Sequence, residues 1–330
     1  MLERLMNGMD AKYIALAGIM FCFIFTVLML KVFQDKLPRD LGRDYAFNGK
    51  KSAGKPRGAG FIFISVFLAG SILFVSLNRE IAIYLLLTFA AMMTGFLDDC
   101  SRSPWGEYKK GLLDFLIAIL LTVTFLKLNQ RSNTIYLALT KQEYTIPVWL
   151  FAILSVVLIW VSINVTNCSD GVDGLSGSLT ITTLTSVGII NFIKKQNNLL
   201  GSSAYNRLNY IILLFIICLL GYLWFNATPS RLMMGDAGSR AMGIFIAVVV
   251  LKTRSPLLYL AVALVLILDG GLGLLKVSLM RFCKVKILQN VRTPLHDHVR
   301  KVRGWSNTQT VFRFVIIQVM VSAMIIYLYV

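Results

Sequence analysis

Two adjacent carboxylates close the stretch Gly95-Phe96-Leu97-Asp98-Asp99. At the edge of an apolar run such a pair must be solvated, paired or bound to metal, because like charges this close oppose each other's ionisation. The pair is therefore either a solvated helix end or a site for a divalent cation and phosphate, since hard carboxylate oxygens suit Mg²⁺. A second stretch, Asn164-Val165-Thr166-Asn167-Cys168-Ser169-Asp170-Gly171-Val172-Asp173-Gly174, gathers acids, amides and glycines and has no Lys or Arg. Asp170 and Asp173 are three apart and share one face on a helical turn. The glycines admit tight turns and close ligand approach. The spacing and terminal Glu of an EF-hand are missing. In a third stretch, Met234-Gly235-Asp236-Ala237-Gly238-Ser239, Asp236 could cap a helix N-terminus or ligate a metal, with free amides and Ser239 facing phosphate oxygens. The fourth, Pro294-Leu295-His296-Asp297-His298 followed by a basic run to Trp305, holds both histidines of the chain. Without a further His or Cys close by, phosphate contact is favoured over zinc.

Around these lie Lys50, Lys51, Lys55, Arg57, Arg102, Lys109 and Lys110, able to neutralise phosphates or to anchor loops on the positive side of a membrane. Asp114 and Asp269 fall inside apolar runs and are read as structural. Carboxylates alone would suggest a cation path, and bases alone would suggest lipid headgroups. Together, Asp98, Asp99, Asp170, Asp173 and Asp236 with bases and two histidines suggest phosphoryl chemistry with Mg²⁺ between carboxylate and phosphate.

The elements that must position these residues are transmembrane helices. Of 330 residues 57% are hydrophobic and only 15% charged, and the mean hydropathy is +0.72. That excludes a soluble enzyme, a disordered chain and a disulfide scaffold. Long apolar runs also exclude a membrane β-barrel. Five scattered cysteines show no disulfide or zinc spacing. The net charge of +17 is read as contact with anionic membrane lipids, not nucleic acid. Runs near 13–33, 59–77, 81–97, 112–128, 148–165, 178–194, 210–226, 241–252, 256–281 and 311–330 predict an all-α polytopic protein of about ten spans. It forms one transmembrane domain over 1–330. The first run is expected to be a retained span, not a cleaved signal. A bend is expected at Asp269-Gly270-Gly271 and a hairpin within 129–147. Loops near 34–58, 98–111, 166–177, 227–240 and 282–310 hold the larger share of Lys and Arg. They are therefore expected to be cytoplasmic, with both termini outside.

The four motifs, in this order on this topology, resemble the polyprenyl-phosphate N-acetylhexosamine-1-phosphate transferases over nearly the whole chain. The Pro294–Trp305 motif is most similar to the branch that transfers phospho-N-acetylmuramoyl-pentapeptide. The pattern departs at Asp297, at Lys55-Pro56-Arg57, at Arg102 and at Arg240. The resemblance implies an enzyme of the bacterial cell membrane working in peptidoglycan synthesis. It implies Mg²⁺, transfer from the UDP-linked sugar-pentapeptide to undecaprenyl phosphate, and lipid I and UMP as products. It makes Asp98, Asp99 and Asp236 catalytic, with Asp236 the Mg²⁺ ligand. Lys51, Lys109, Asn164, Asn167, Asp170, Asp173, Gly235, Ser239, His296, Asp297 and His298 become expected substrate contacts. It also suggests a homodimer, and an apolar groove for the prenyl tail beside the bent ninth span. The rival readings are a sister enzyme that transfers N-acetylglucosamine-1-phosphate and, from another class, an ion-coupled transporter. The latter would want ionisable residues at mid-membrane and paired broken helices.

Overall fold

The computed structural model describes residues 11–42, 49–101, 103–196 and 202–330. The helices are α1 (Ala11–Phe33), α2 (Gly60–Phe74), α3 (Arg79–Asp99), α4 (Glu107–Leu128), α5 (Val148–Cys168), α6 (Leu175–Gln196), α7 (Ser202–Asn226) and α8 (Gly235–Lys252). A broken segment follows, with α9 (Tyr259–Val262), α10 (Leu264–Leu266) and α11 (Leu272–Ser278). The chain ends in a short α12 (Leu295–Val302) and a long α13 (Asn307–Tyr329). Strands β1 (Thr134–Leu137) and β2 (Gln142–Thr145) pair antiparallel, with Thr134 opposite Thr145, as the expected hairpin.

Among the described residues seven helices are long and apolar enough to cross a membrane, or eight if the bent pair Pro256–Val262 and Leu264–Cys283 is one span. Two of the expected spans are atypical. α2 has only 15 residues, and α8 carries Asp236, Arg240 and Lys252. α8 is nonetheless the centre of the bundle. Every residue from Gly235 through Leu251 is buried, and α2, α3, α5 and α6 pack around it. A helix covered on all sides can carry charges only where partners meet them.

The expected bend in the ninth span is corrected in position. The chain turns by 72° between Val262 and Leu264, ahead of Asp269. There the freed backbone groups find a side chain: Gln318 on α13 accepts from Val265 N at 2.9 Å and donates to Ala261 O at 3.0 Å. Non-helical backbone inside a bundle requires such a partner. Ile267–Gly271 then forms a π-helical turn that places Asp269 in the interior.

The C-terminal ends of α3 and α5 and the N-terminal ends of α4 and α8 meet at one end of the bundle, where Arg57 and Lys110 reach Asp236 and Asn167 reaches Ser239. The start of α1 and the end of α13 lie at the other end. There Ala15 O accepts from Tyr210 Oη, and Tyr136 packs on Tyr329.

Candidate active site

α3 ends so that its two aspartates do different work. Asp99 reaches across to α8, accepting from Asp236 N and Ala237 N, both at 3.1 Å. It therefore caps the N-terminus of a neighbouring helix, where a carboxylate satisfies orphan amides and meets the positive end of the dipole. Two glycines make room for this. Gly95 lies against the Asp236 backbone, and Gly235 has φ +68° with Asp99 where a Cβ would sit. Asp98 accepts from Trp105 N at 2.7 Å and pairs with Lys110.

With its helix capped in trans, Asp236 is free to direct its carboxylate at cations. Lys110 Nζ lies 3.0 Å from Oδ2 and Arg57 Nη2 3.1 Å from Oδ1. Arg57 Nε lies 2.8 Å from Asp99 Oδ1, an ion pair whose N–H points off the oxygen. Burial works to lower the Arg57 pKa, but Asp99, Asp236, Asp40 and Asp98 outweigh it, and the net shift is upward. Its charge is fixed. Beneath Asp236, buried Arg240 pairs with buried Asp114 at 2.9 Å. Asp114 falls four residues after Lys110, on the same face of α4, so one face of this helix serves both contacts.

The second cluster is a cavity of about 500 Å³ lined by Asp170, Asp173, His296, Asp297, Arg300 and Lys55, among others. Asp173 Oδ2 accepts from Ser230 N at 3.2 Å. His296 is held from behind. Its backbone N donates to Asp269 Oδ1 at 2.8 Å, and its ring Nδ1 lies 2.8 Å from Asp269 Oδ2. The opposite ring nitrogen, Nε2, faces Gly171 at the cavity wall. Burial lowers the Arg300 pKa, against Asp297 and Asp173. Asn167 Nδ2 donates to Ser239 Oγ at 3.0 Å, tying the last turn of α5 to α8.

A family model described as Glycosyl transferase family 4 matches residues 81–254. The phospho-N-acetylmuramoyl-pentapeptide-transferase of Treponema pallidum strain Nichols is 42% identical over 304 residues, 90% of this chain and 84% of that protein. The proteins of the same name from Wolbachia of Drosophila simulans and from Clostridium acetobutylicum are 27% and 26% identical, over 90% and 92% of this chain and 91% and 95% of their own lengths. The chain belongs to glycosyl transferase family 4. It is a multi-pass membrane enzyme of the phospho-sugar transferase kind that the motifs resembled.

In this glycosyl transferase the aspartates of two separate motifs converge, and Lys110, shared between Asp98 and Asp236, is the link; Asp170 and Asp173 of the third line the neighbouring cavity instead. Several expected contacts fall elsewhere. Lys109 turns away and sets its ammonium 3.4 Å from the Trp105 ring centroid, because one helical step rotates it off the face that bears Lys110. Asn164 donates to Trp160 O on its own helix. His298 Nδ1 accepts from Arg292 N at 3.2 Å and ties the loop instead of lining the cavity. Gly235 and Ser239 act through backbone shape and through Asn167. The Lys51 side chain and Arg102 lie outside the described residues.

Sequence reasoning missed Arg57 as the hub of the cluster, Lys110 as distinct from Lys109, Arg300, and Asp269 as the partner of His296. Only for Asp269 was there a direct signal. An acid beside two glycines inside an apolar run is costly without a task.

Proposed function

We propose that the protein transfers phospho-N-acetylmuramoyl-pentapeptide from its UDP derivative to undecaprenyl phosphate, yielding lipid I and UMP at the cytoplasmic face of a bacterial cell membrane. The observation that carries this reading is the junction of Asp98, Asp99 and Asp236 through Arg57 and Lys110. In a chain whose relatives bear the transferase name, it is a site of mixed charge beside a roomy polar cavity.

In this reading a lipid phosphate oxygen attacks the sugar-linked phosphorus, the bond to the bridging oxygen breaks, and UMP leaves. A phosphate monoester with a second pKa near ~6 is largely dianionic at neutral pH. No strong general base is required, and Asp98 with Lys110 aligns the nucleophile. Asp99 holds α8 and Arg57 in place. Asp170, Asp173, Asn167, His296 and Asp297 serve the nucleotide and sugar-peptide portions. The donor set suits Mg²⁺. Among the described residues no three His, Cys, Asp or Glu side chains form a metal cage of their own. Asp236, near Asp98 and Asp99, would supply the one or two carboxylates that this ion takes in company with water and substrate phosphates. Bound there, the ion would neutralise charge on the diphosphate and the departing UMP.

The lipid tail is assigned to an apolar groove of about 280 Å³ between α5 and the broken span, lined by Leu154, Leu158, Pro256, Leu257 and Ile267 among others. Release of UMP by purified protein with undecaprenyl phosphate, measured with and without Mg²⁺, tests the proposal. Turnover is expected with the UDP-muramoyl-pentapeptide and Mg²⁺. Turnover only with UDP-N-acetylglucosamine would reassign the donor, and no UMP from either would refute the reaction.

A further inference from the structure

One short segment, Lys55-Pro56-Arg57, joins the carboxylate cluster to the cavity, and its backbone is pinned on both edges. Asp40 N donates to Lys55 O at 2.9 Å and Arg57 N to Pro38 O at 2.8 Å, while on the other edge Met233 N donates to Pro56 O at 2.8 Å. A backbone bonded in this alternating way sends residues two apart to the same side, about 6–7 Å from each other. Lys55 lines the cavity, its Nζ 3.0 Å from Ser230 Oγ and 3.9 Å from Asp173 Oδ2. Arg57 enters the carboxylate cluster on Asp99 and Asp236. A rigid strip thus presents one cation to each of the two places that the substrate must bridge.

The charges around the strip make the same point. Asp173 beside the cavity end and Asp99 and Asp236 beside the other repel an anionic ligand, and cations are needed where phosphates pass. Both cations retain unused capacity. Arg57 Nη1 meets Asp40 only at 3.6 Å, beyond hydrogen-bond length, and the side chain is 20% exposed. Among the described residues Lys55 makes one side-chain hydrogen bond, with three donors to offer. A planar guanidinium braced on two carboxylates is aimed before the ligand arrives, and its fork suits phosphate oxygens.

We propose that Lys55 and Arg57 form the diphosphate-binding strip of this enzyme, with two bridged phosphates lying across them between the cavity and the carboxylate cluster. The proposal rests on the reading of the donor as a nucleoside-diphosphate sugar. It is tested by equilibrium binding of UDP and of uridine to the purified full-length protein, with Lys55→Gln, Arg57→Gln and Arg57→Lys. Each Gln variant is expected to weaken UDP about 10- to 100-fold, the worth of a lost charge-assisted contact. Uridine binding should stay within about twofold, and Arg57→Lys should recover part of the loss. A merely structural role would weaken both ligands together, and that result overturns the proposal. So does wild-type UDP affinity in the Gln variants. If Arg57→Gln fails to fold, Lys55→Gln decides alone, since among the described residues Lys55 has no ion pair closer than 3.9 Å. Wild-type protein that binds neither ligand would instead refute the nucleotide reading beneath.

Discussion

Neighbouring residues of the same type are separated by geometry into different roles at this site. Lys110 bridges Asp98 and Asp236, while Lys109 lies over Trp105. Replacing Lys110 with Ala leaves two buried carboxylates short of a partner, a penalty of about 3–5 kcal/mol when a buried pair is broken. Lys110→Ala is expected to lower kcat/KM for UMP release by more than about a hundredfold, and Lys109→Ala by no more than about threefold. Equal losses would show that the ammonium over Trp105 also reaches the substrate. Asp99 and Asp236 divide in the same way. Asp99→Ala strips the cap from Asp236 N and Ala237 N and takes from Arg57 one of its carboxylate partners, so it should lower the thermal midpoint as well as the rate. Asp236→Ala should abolish turnover with a much smaller thermal effect. Thermal scans of both purified variants beside their rates would expose a reversed ranking.

At the scale of elements, the site depends on helices that are irregular where regularity would fail. α8 tolerates charge inside the bundle because Asp99 caps it from outside and Asp114 meets Arg240. The ninth span breaks at Ala263, with Gln318 holding the loose backbone groups, and its π-helical turn delivers Asp269 to His296. Which imidazole nitrogen carries the proton follows from the partner of the other. Asp269→Asn is therefore expected to lower kcat/KM about tenfold, the size of one charge-assisted hydrogen bond, with little thermal change. Asp269→Glu, which keeps the charge, should recover more activity than Asn. An Asn variant with wild-type turnover would reduce Asp269 to a packing residue.

Across the whole molecule, the sequence made plain what depends on hydropathy and local pattern. Apolar runs marked the helices, a stretch rich in Thr and Tyr marked the hairpin at Thr134–Thr145, and clustered polar motifs marked Asp98, Asp236 and His296. Contacts that depend on helix rotation or on a distant partner were not readable. Lys109 and Lys110 differ by one step of a helix, Gln318 sits 53 residues from the backbone it serves, and Arg57 acts through residues more than forty positions away. The orientation of the bundle rests on the same kind of global property, the excess of Lys and Arg in the loops at the site end. Two natural probes are available there. Cys100 and Cys283 are exposed, and Cys22 and Cys218 are buried. Cys100 follows Asp99 directly, and Arg281, two residues before Cys283, pairs with Glu107 at the start of α4 at 3.2 Å, which puts both thiols at the site end. A membrane-impermeant maleimide should therefore label neither in intact spheroplasts and both in inverted vesicles, read by mass on the purified protein. Labelling of Cys283 from outside would turn the molecule over, and would separate the site from any substrate made in the cytoplasm.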